Sequence, residues 1–248
     1  MRTGSPTGLA VKFAVLADIH ANIAALEAVL AEVRAEGIGH LVLLGDMVGY
    51  YYEPRAVIEA LSAFDCTAIR GNHDAMALDA RGDVAILDIY RTRYGSGLDA
   101  VFAQFGEAEW RWLERLEDQR DVNLWEHRIR LAHGAPFDPE APVYPDADAG
   151  RMARVVEGFD GDAVWLGHTH WPFYRAGLPA ILNPGSVGQP RDIGGIASWA
   201  IFHAGTGAIA FRRTEFVVDA LVAECRRRDP DCPRIAEVLV RRRLTVGA

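Results

Sequence analysis

Five short clusters in this chain carry residues able to bind metal: Asp18-Ile19-His20, Gly45-Asp46, Gly71-Asn72-His73-Asp74, His133-Gly134 and Gly167-His168-Thr169-His170. Imidazole nitrogens mixed with carboxylate and amide oxygens, and no thiolate, suit Mn, Fe, Zn, Co or Ni more than a purely oxygen-loving cation. On an extended backbone residues two apart point to the same side, so Asp18 and His20 can reach one point, as can His168 and His170. The candidate ligands are Asp18, His20, Asp46, Asn72, His133, His168 and His170, seven in all and too many for one ion. They suit two ions that share a carboxylate and each keep a position open for water and substrate. Taken singly, each histidine would read as an ordinary core or surface residue, and only the collection reverses that reading.

The elements around these clusters explain how they could meet. Lys12 to Ala17 is an apolar run of buried-strand type, followed by Asn22 as an N-cap and a helical pattern that ends at Gly37. His40 to Leu44 and Cys66 to Arg70 read as further strands, with a helix over Pro54 to Ala63 between them, and such alternation implies a parallel sheet. From Ala75 to Leu116 the strand signal disappears, and the segment reads as a helical insert broken at Arg81-Gly82 and Tyr94-Gly95-Ser96-Gly97. Later strands are expected at 122–125, 128–132, 163–166, 172–175, 180–182, 199–203 and 208–212, and a helix at 148–156. Val217 to Arg228 and Ile235 to Arg243 read as closing helices. Every candidate ligand then follows a strand, which is where open α/β sheets place their sites.

Composition narrows the function. Among 248 residues, 34 Asp+Glu against 26 Lys+Arg give a net charge of −8, the wrong sign for broad phosphate neutralisation, so nucleic-acid binding is not expected. The arginine runs at 226–228 and 241–243 read as solvated faces of the closing helices. No apolar stretch approaches the roughly 20 residues needed to cross a bilayer. Residues 1–11 hold no signal-type apolar core, and Cys66, Cys225 and Cys232 form neither an even set nor a CxxC pair, which fits a cytoplasmic protein.

The ordered series DxH, GD, GNHD, HG and GHTH, from Asp18 to His170, resembles the calcineurin-like metallophosphoesterase superfamily. Asn183-Pro184-Gly185-Ser186-Val187-Gly188-Gln189-Pro190-Arg191 resembles a loop of its small bacterial and archaeal members. The resemblance implies one α/β domain spanning residues 1–248, two facing mixed β-sheets flanked by helices in an αββα sandwich, with residues 75–116 a helical lid or wall. It implies two divalent transition-metal ions, manganese favoured. Asp18, His20 and His170 would hold the first, Asn72, His133 and His168 the second, and Asp46 would bridge them. The implied reaction is in-line attack on a small phosphate-ester substrate by a metal-bridging hydroxide. His73 would act as an acid near the leaving group with Asp74 orienting it, and Asn72 would contact substrate. From its residue type alone, Arg191 reads equally as a clamp on the substrate phosphate or as a surface salt-bridge residue. On the residues themselves, Asn72 and His73 as neighbours on an extended segment would face opposite ways, and a nearby carboxylate would favour a protonated His73.

One departure bears on substrate. Many members continue the second motif as GDxxD followed by Arg, and here it reads Gly45-Asp46-Met47-Val48-Gly49-Tyr50. The resemblance implies that the missing Arg would hold a protein phosphatase's substrate, so a phosphodiester or nucleotide-type substrate is favoured over a phosphomonoester or phosphoprotein. A non-catalytic protein-binding scaffold is the rival from another class. Tyr51, where another Gly is expected, points to narrowed access near Tyr50 to Tyr52. Arg70, Trp110 and Trp112 read as structural, as do His40, His127 and His203. The apolar content of the insert would suit a cleft wall or an oligomer contact equally.

Overall fold

A computed structural model describes residues 11–242. Strands β1 (Lys12–Leu16), β2 (His40–Leu43) and β3 (Asp65–Ala68) run parallel, linked by helices α1 (Ile23–Ala35) and α2 (Pro54–Leu61). Asn22 caps α1 as expected, its side-chain oxygen accepting from Ala25 N at 3.2 Å. β9 (Ile196–His203) and β10 (Ala208–Glu215) join antiparallel beyond β1, giving the order β10-β9-β1-β2-β3. The second sheet is built from β4 (Gln119–Leu124), β5 (His127–Ala132), β6 (Ala163–Trp165), β7 (Phe173–Arg175) and β8 (Ala180–Asn183). Its order is β4-β5-β6-β8-β7, with β5, β6 and β8 parallel and the edge strands antiparallel.

The layers follow from side-chain alternation along the strands. Val15, Ala17, Val42 and Leu44 pack between the sheets against Leu131, Trp165 and Leu182. Ala14, Leu16, Leu41 and Leu43 face the other way, against Leu26, Leu30 and Val57 of the helices. Strands buried on both faces read as unbroken apolar runs, which is what the sequence shows there. Helix α7 (Ala149–Val156) closes the outer face of the second sheet with Met152 and Val155 on Val164 and Ile181. Burying such a side chain stabilises by ~1.5–3 kcal/mol, and the summed packing fixes the strand ends relative to one another.

Four helices fill the expected insert: α3 (Asn72–Asp79), α4 (Val84–Tyr94), α5 (Gly97–Gln104) and α6 (Glu107–Glu114). A break at Phe105-Gly106 was not expected; Gly106 starts α6 and donates its N–H to Glu109 Oε2 at 2.7 Å. Leu98, Val101, Trp110 and Leu113 enter the core, whereas α4 buries no residue and exposes Val84 and Ile89.

The C-terminal part departs from expectation. After α8 (Asp219–Arg228), helix α9 spans only Arg234–Glu237, a 3-10 turn covers Val238–Val240, and Arg242 pairs with Ile193 in a β-bridge. The expected helix over 235–243 is therefore borne out only at its start, and it stops before residue 241. Val238 and Val240 are β-branched and weak helix formers, and Arg241 O instead accepts from Gly194 N at 2.9 Å. Arg241 and Arg242 are accordingly not on a helix face, and Arg243 lies outside the described residues. Among the described residues, no helix is long and apolar enough to cross a membrane.

Candidate metal centre

All five ligand-bearing clusters lie just past the C-terminal ends of β1, β2, β3, β5 and β6. Parallel pairing of the first two strands continues into the loops, with Asp18 N on Gly45 O at 3.1 Å and His20 N on Asp46 O at 2.9 Å. The backbone there is not extended. Asp18, His20, Asp46, His168 and His170 have φ of 54°, 52°, 56°, 69° and 62°. The same-side argument from an extended segment thus fails in its premise, although both pairs do converge. Left-handed backbone at a non-glycine residue costs on the order of 1 kcal/mol, tolerated best by Asp, Asn and His.

The side chains meet in two groups around Asp46. His170 Nε2 lies 3.1 Å from His20 Nε2 and 3.4 Å from Asp18 Oδ1, and His20 Nε2 is 3.6 Å from Asp46 Oδ2. On the other side His133 Nε2 is 3.3 Å from Asp46 Oδ2, while Asn72 Oδ1 is 3.0 Å from His133 Nε2 and 2.9 Å from His168 Nδ1. Asp18, His20 and His170 form one set with ligand atoms all within 4.8 Å, and Asp18, Asp46 and His133 another. A third such set joins His20, Asp46 and His73, the residue expected to stand outside the ligands.

Second hydrogen bonds fix the rings. His20 Nδ1 donates to Val48 O at 3.2 Å, His133 Nδ1 to Leu44 O at 2.7 Å and His170 Nδ1 to Gln189 O at 2.7 Å. Each of these rings then turns an Nε2 lone pair toward the cluster, the usual support of a ligating histidine. Ser186 Oγ donates to Asp18 O at 2.7 Å and Asn183 Nδ2 to Gly167 O at 2.6 Å, so the 183–191 loop braces both the β1 and the β6 loops. Two lone pairs facing at 3.1 Å repel unless a cation or proton lies between them, so the donor set fits metal.

Residues 11–207 match the calcineurin-like phosphoesterase superfamily domain. The chain belongs to that superfamily. Members use divalent metals, and this calcineurin-like phosphoesterase has Asp and His groups able to bind them. It is 30% identical over 222 residues to the uncharacterized protein MJ0912 of Methanocaldococcus jannaschii, covering 82% of this chain and 87% of that one. Among solved structures it is similar to a metallophosphoesterase from Sphaerobacter thermophilus, with a TM-score of 0.73, 27% identity and 92% and 98% of the two chains covered. The hypothetical protein PH1004 of Pyrococcus horikoshii OT3 shares the fold, with a TM-score of 0.80, 22% identity and coverage of 92% and 97%.

Charge in the phosphoesterase's site is set by burial and by the carboxylates. Burial lifts the Asp18 carboxyl to about 8, and it lowers His20 and His170 well below the ordinary imidazole value. Burial also lowers His168 to about 4. At His133 burial acts the same way, but Asp46 and Asp18 overcome it and raise the ring to about 10. Asp46 stays well below the carboxylate range despite its burial, because His133 and His73 face it.

The acid expected at His73 sits differently from expectation. Asn72 and His73 open helix α3 rather than an extended segment, so the helical turn is what separates them. Tyr50 and Tyr94 pack on the His73 ring at centroid distances of 4.5 and 4.7 Å, and Nδ1 is buried without a hydrogen-bond partner. Burial lowers its pKa to about 4 instead of favouring the protonated ring. Asp74 forms no hydrogen bond with His73. Its carboxylate accepts from Asp46 N at 2.8 Å, Gly71 N at 2.9 Å and Val48 N at 3.1 Å. Burial and Asp46 push Asp74 up to about 7. The direct orienting role expected of Asp74 is therefore replaced by a grip on the loop that carries Asp46.

A cleft of about 290 Å³ opens over the cluster, lined by Asp46, Asn72, His73, His168 and His170 and also by Tyr50, Arg93, Tyr94 and Arg191. Arg191 is thus at the site, and it forms no ion pair among the described residues. Arg70 instead binds Asp118 at 2.7 Å, a structural role as expected. Only Tyr50 of the tyrosine triplet narrows the cleft. Tyr51 and Tyr52 turn away to donate to Ile235 O at 3.2 Å and Asp229 Oδ2 at 2.6 Å. Sequence reasoning missed Arg93, Tyr94 and Glu140 in the cleft, since an insert helix and a long loop give no motif.

Proposed function

We propose that the chain is a binuclear metal-dependent phosphodiesterase acting on small, nucleotide-type phosphate esters. The observation that carries this reading is the convergence of Asp18, His20 and His170 on one side of Asp46 and of Asn72, His133 and His168 on the other, with the rings of His20, His133 and His170 each held by a backbone carbonyl. Asp18, His20 and His170 would hold one ion and Asn72, His133 and His168 the other, with Asp46 between them and manganese favoured. Two such ions lower the pKa of water and neutralise charge developing on phosphorus oxygens.

The chain's own residues do the rest. Arg191 offers a guanidinium fork to the substrate phosphate. His73 lines the cleft with no carbonyl fixing Nδ1, unlike His20, His133 and His170, which favours a place beside the leaving oxygen over ligation. Arg93 and Tyr94 at the end of α4 make the insert a wall of the cleft. Gly49-Tyr50 fills the place where protein phosphatases of the superfamily carry the phosphate-holding Arg, and this favours diesters.

The test is turnover of bis-p-nitrophenyl phosphate and p-nitrophenyl phosphate by metal-stripped protein reloaded with Mn, Fe, Zn, Ni or Mg. Diester turnover that requires a transition metal supports the reading. His73→Ala lowers it by about 10²–10⁴ for a poor leaving group and by less for p-nitrophenolate. Silence on both esters from protein shown to hold two ions per chain refutes it.

A further inference from the structure

Beside the reacting cleft lies a second cavity of about 240 Å³, and the two share Tyr50, Arg93, Tyr94 and Arg191 as their common wall. Arg234 and Arg241 line the second cavity as well, and no acidic side chain among the described residues does. In a chain of net charge −8 this concentration of guanidinium groups runs against the overall balance. Several arginines elsewhere are neutralised on the spot, Arg130 by Asp121 at 2.8 Å, Arg70 by Asp118 at 2.7 Å and Arg228 by Glu224 at 2.7 Å, and those without an ion pair are not gathered on one cavity. Arg93, Arg191 and Arg234 have no ion pair among the described residues.

The elements that bring them together are remote in sequence. Arg93 lies in the last turn of α4, Arg191 closes the 183–191 loop and Arg234 opens α9. One tie holds two of these elements in place. Asp229, before α9, accepts from Ser96 N at 2.8 Å and from Tyr52 Oη at 2.6 Å, locking the C-terminal segment to the turn that follows α4. Convergent cations that are left unpaired on a braced scaffold form an anion site, and several guanidinium forks match a phosphate better than a single carboxylate.

We infer that this second cavity binds a further phosphate of the substrate, so that the preferred substrates are phosphate esters carrying a second phosphate beyond the one being cleaved. The inference rests on the phosphoesterase reading for which phosphate is cleaved, but not for the anion site itself. Arg191, on the shared wall, lies between the two phosphates, and Arg93 and Arg234 serve the second.

Two measurements separate the claims. Pyrophosphate is titrated calorimetrically into metal-stripped wild-type protein and into Arg234→Glu and Arg93→Glu variants. Both arginines are exposed, and Arg234→Gln accompanies them as a milder change. Each reversal weakens binding by about tenfold, the effect of losing one charge-assisted contact. Separately, the metal-loaded enzyme is given thymidine 5′-(p-nitrophenyl phosphate) with and without a 3′-phosphate. The 3′-phosphorylated ester has the higher kcat/KM, and Arg234→Glu erases the difference between the two. Equal pyrophosphate binding in all variants, or no gain from the 3′-phosphate in an active enzyme, overturns the inference. Arginine-dependent pyrophosphate binding without turnover of either ester would instead overturn the phosphodiesterase reading and leave the anion site standing.

Discussion

Replacing Asp74 by Asn separates its grip on the metal loop from any action on His73. Asp74 is fully buried, with one oxygen accepting from Asp46 N and Gly71 N and the other from Val48 N. An Asn side chain retains one carbonyl oxygen. Placed to keep the first two bonds, it turns its NH₂ toward Val48 N–H and leaves a buried donor unpaired. Such a loss costs about 1–3 kcal/mol. For a chain of 248 residues the unfolding entropy makes this a fall of about 2–6 °C in Tm. Asp74→Ala, which strands all three N–H groups, is worse. Thermal unfolding followed by circular dichroism in excess chelator measures the effect without metal linkage. Metal retention after reloading follows in parallel and falls by about 10–100-fold, as for other losses of support behind a ligand. If Asp74→Asn melts within 1 °C of wild type and keeps its metal, the grip on the loop is not what Asp74 supplies. A kcat loss in that variant without either change would return it to the role of orienting His73.

Further outcomes follow from the same contacts. Gly71→Ala places a Cβ against the backbone nitrogen and carboxylate of Asp46, both backbone-fixed, so soluble protein from this variant holds less than one ion per chain by elemental analysis. Removing metal with chelator lowers Tm, because a ligand at 1,000 times its Kd contributes about 4 kcal/mol to the folded state. Asp121 faces Arg130 across β4 and β5 and its carboxyl is held below the usual value, first by the Arg130 hydrogen bond. The stability it contributes is therefore present above the unfolded value of 3.8 and is lost as pH falls through the lower folded value. Asp121→Asn should thus cost about 0.5–1 kcal/mol in urea unfolding at pH 7 and nothing near pH 2.

Much of the site was legible because its residue types are rare in combination and because each cluster follows an apolar run. The two-sided burial of β1 and β2 wrote those strands into the sequence as KFAVL and HLVL. What could not be read depends on partners far along the chain. Nothing local to Tyr51 says that its hydroxyl meets Ile235, nor does anything local to Asp74 point to Asp46 and Val48. The left-handed backbone at the ligands was equally hidden, since propensity describes what a segment prefers alone and tertiary hydrogen bonds decide otherwise. The early end of the helix expected over 235–243 has the same origin, in a pairing of Arg242 with Ile193. Arg93 and Arg234 belong to no motif, and only the fold brings them to one cavity.

The left-handed ligand positions bear on how such a protein ages in evolution. Asp18, His20, Asp46, His168 and His170 sit in a conformation that most side chains resist and that Asn and Gly accept readily. A lineage that loses selection for catalysis can therefore drift from Asp to Asn or Gly there with no backbone penalty, and even relieve the crowding of buried charge. Substitution by Val or Ile is penalised twice, in chemistry and in conformation. The chemistry is thus easier to lose than the shape, and a descendant stripped of its ions would inherit an intact, pre-formed surface available for recognition alone.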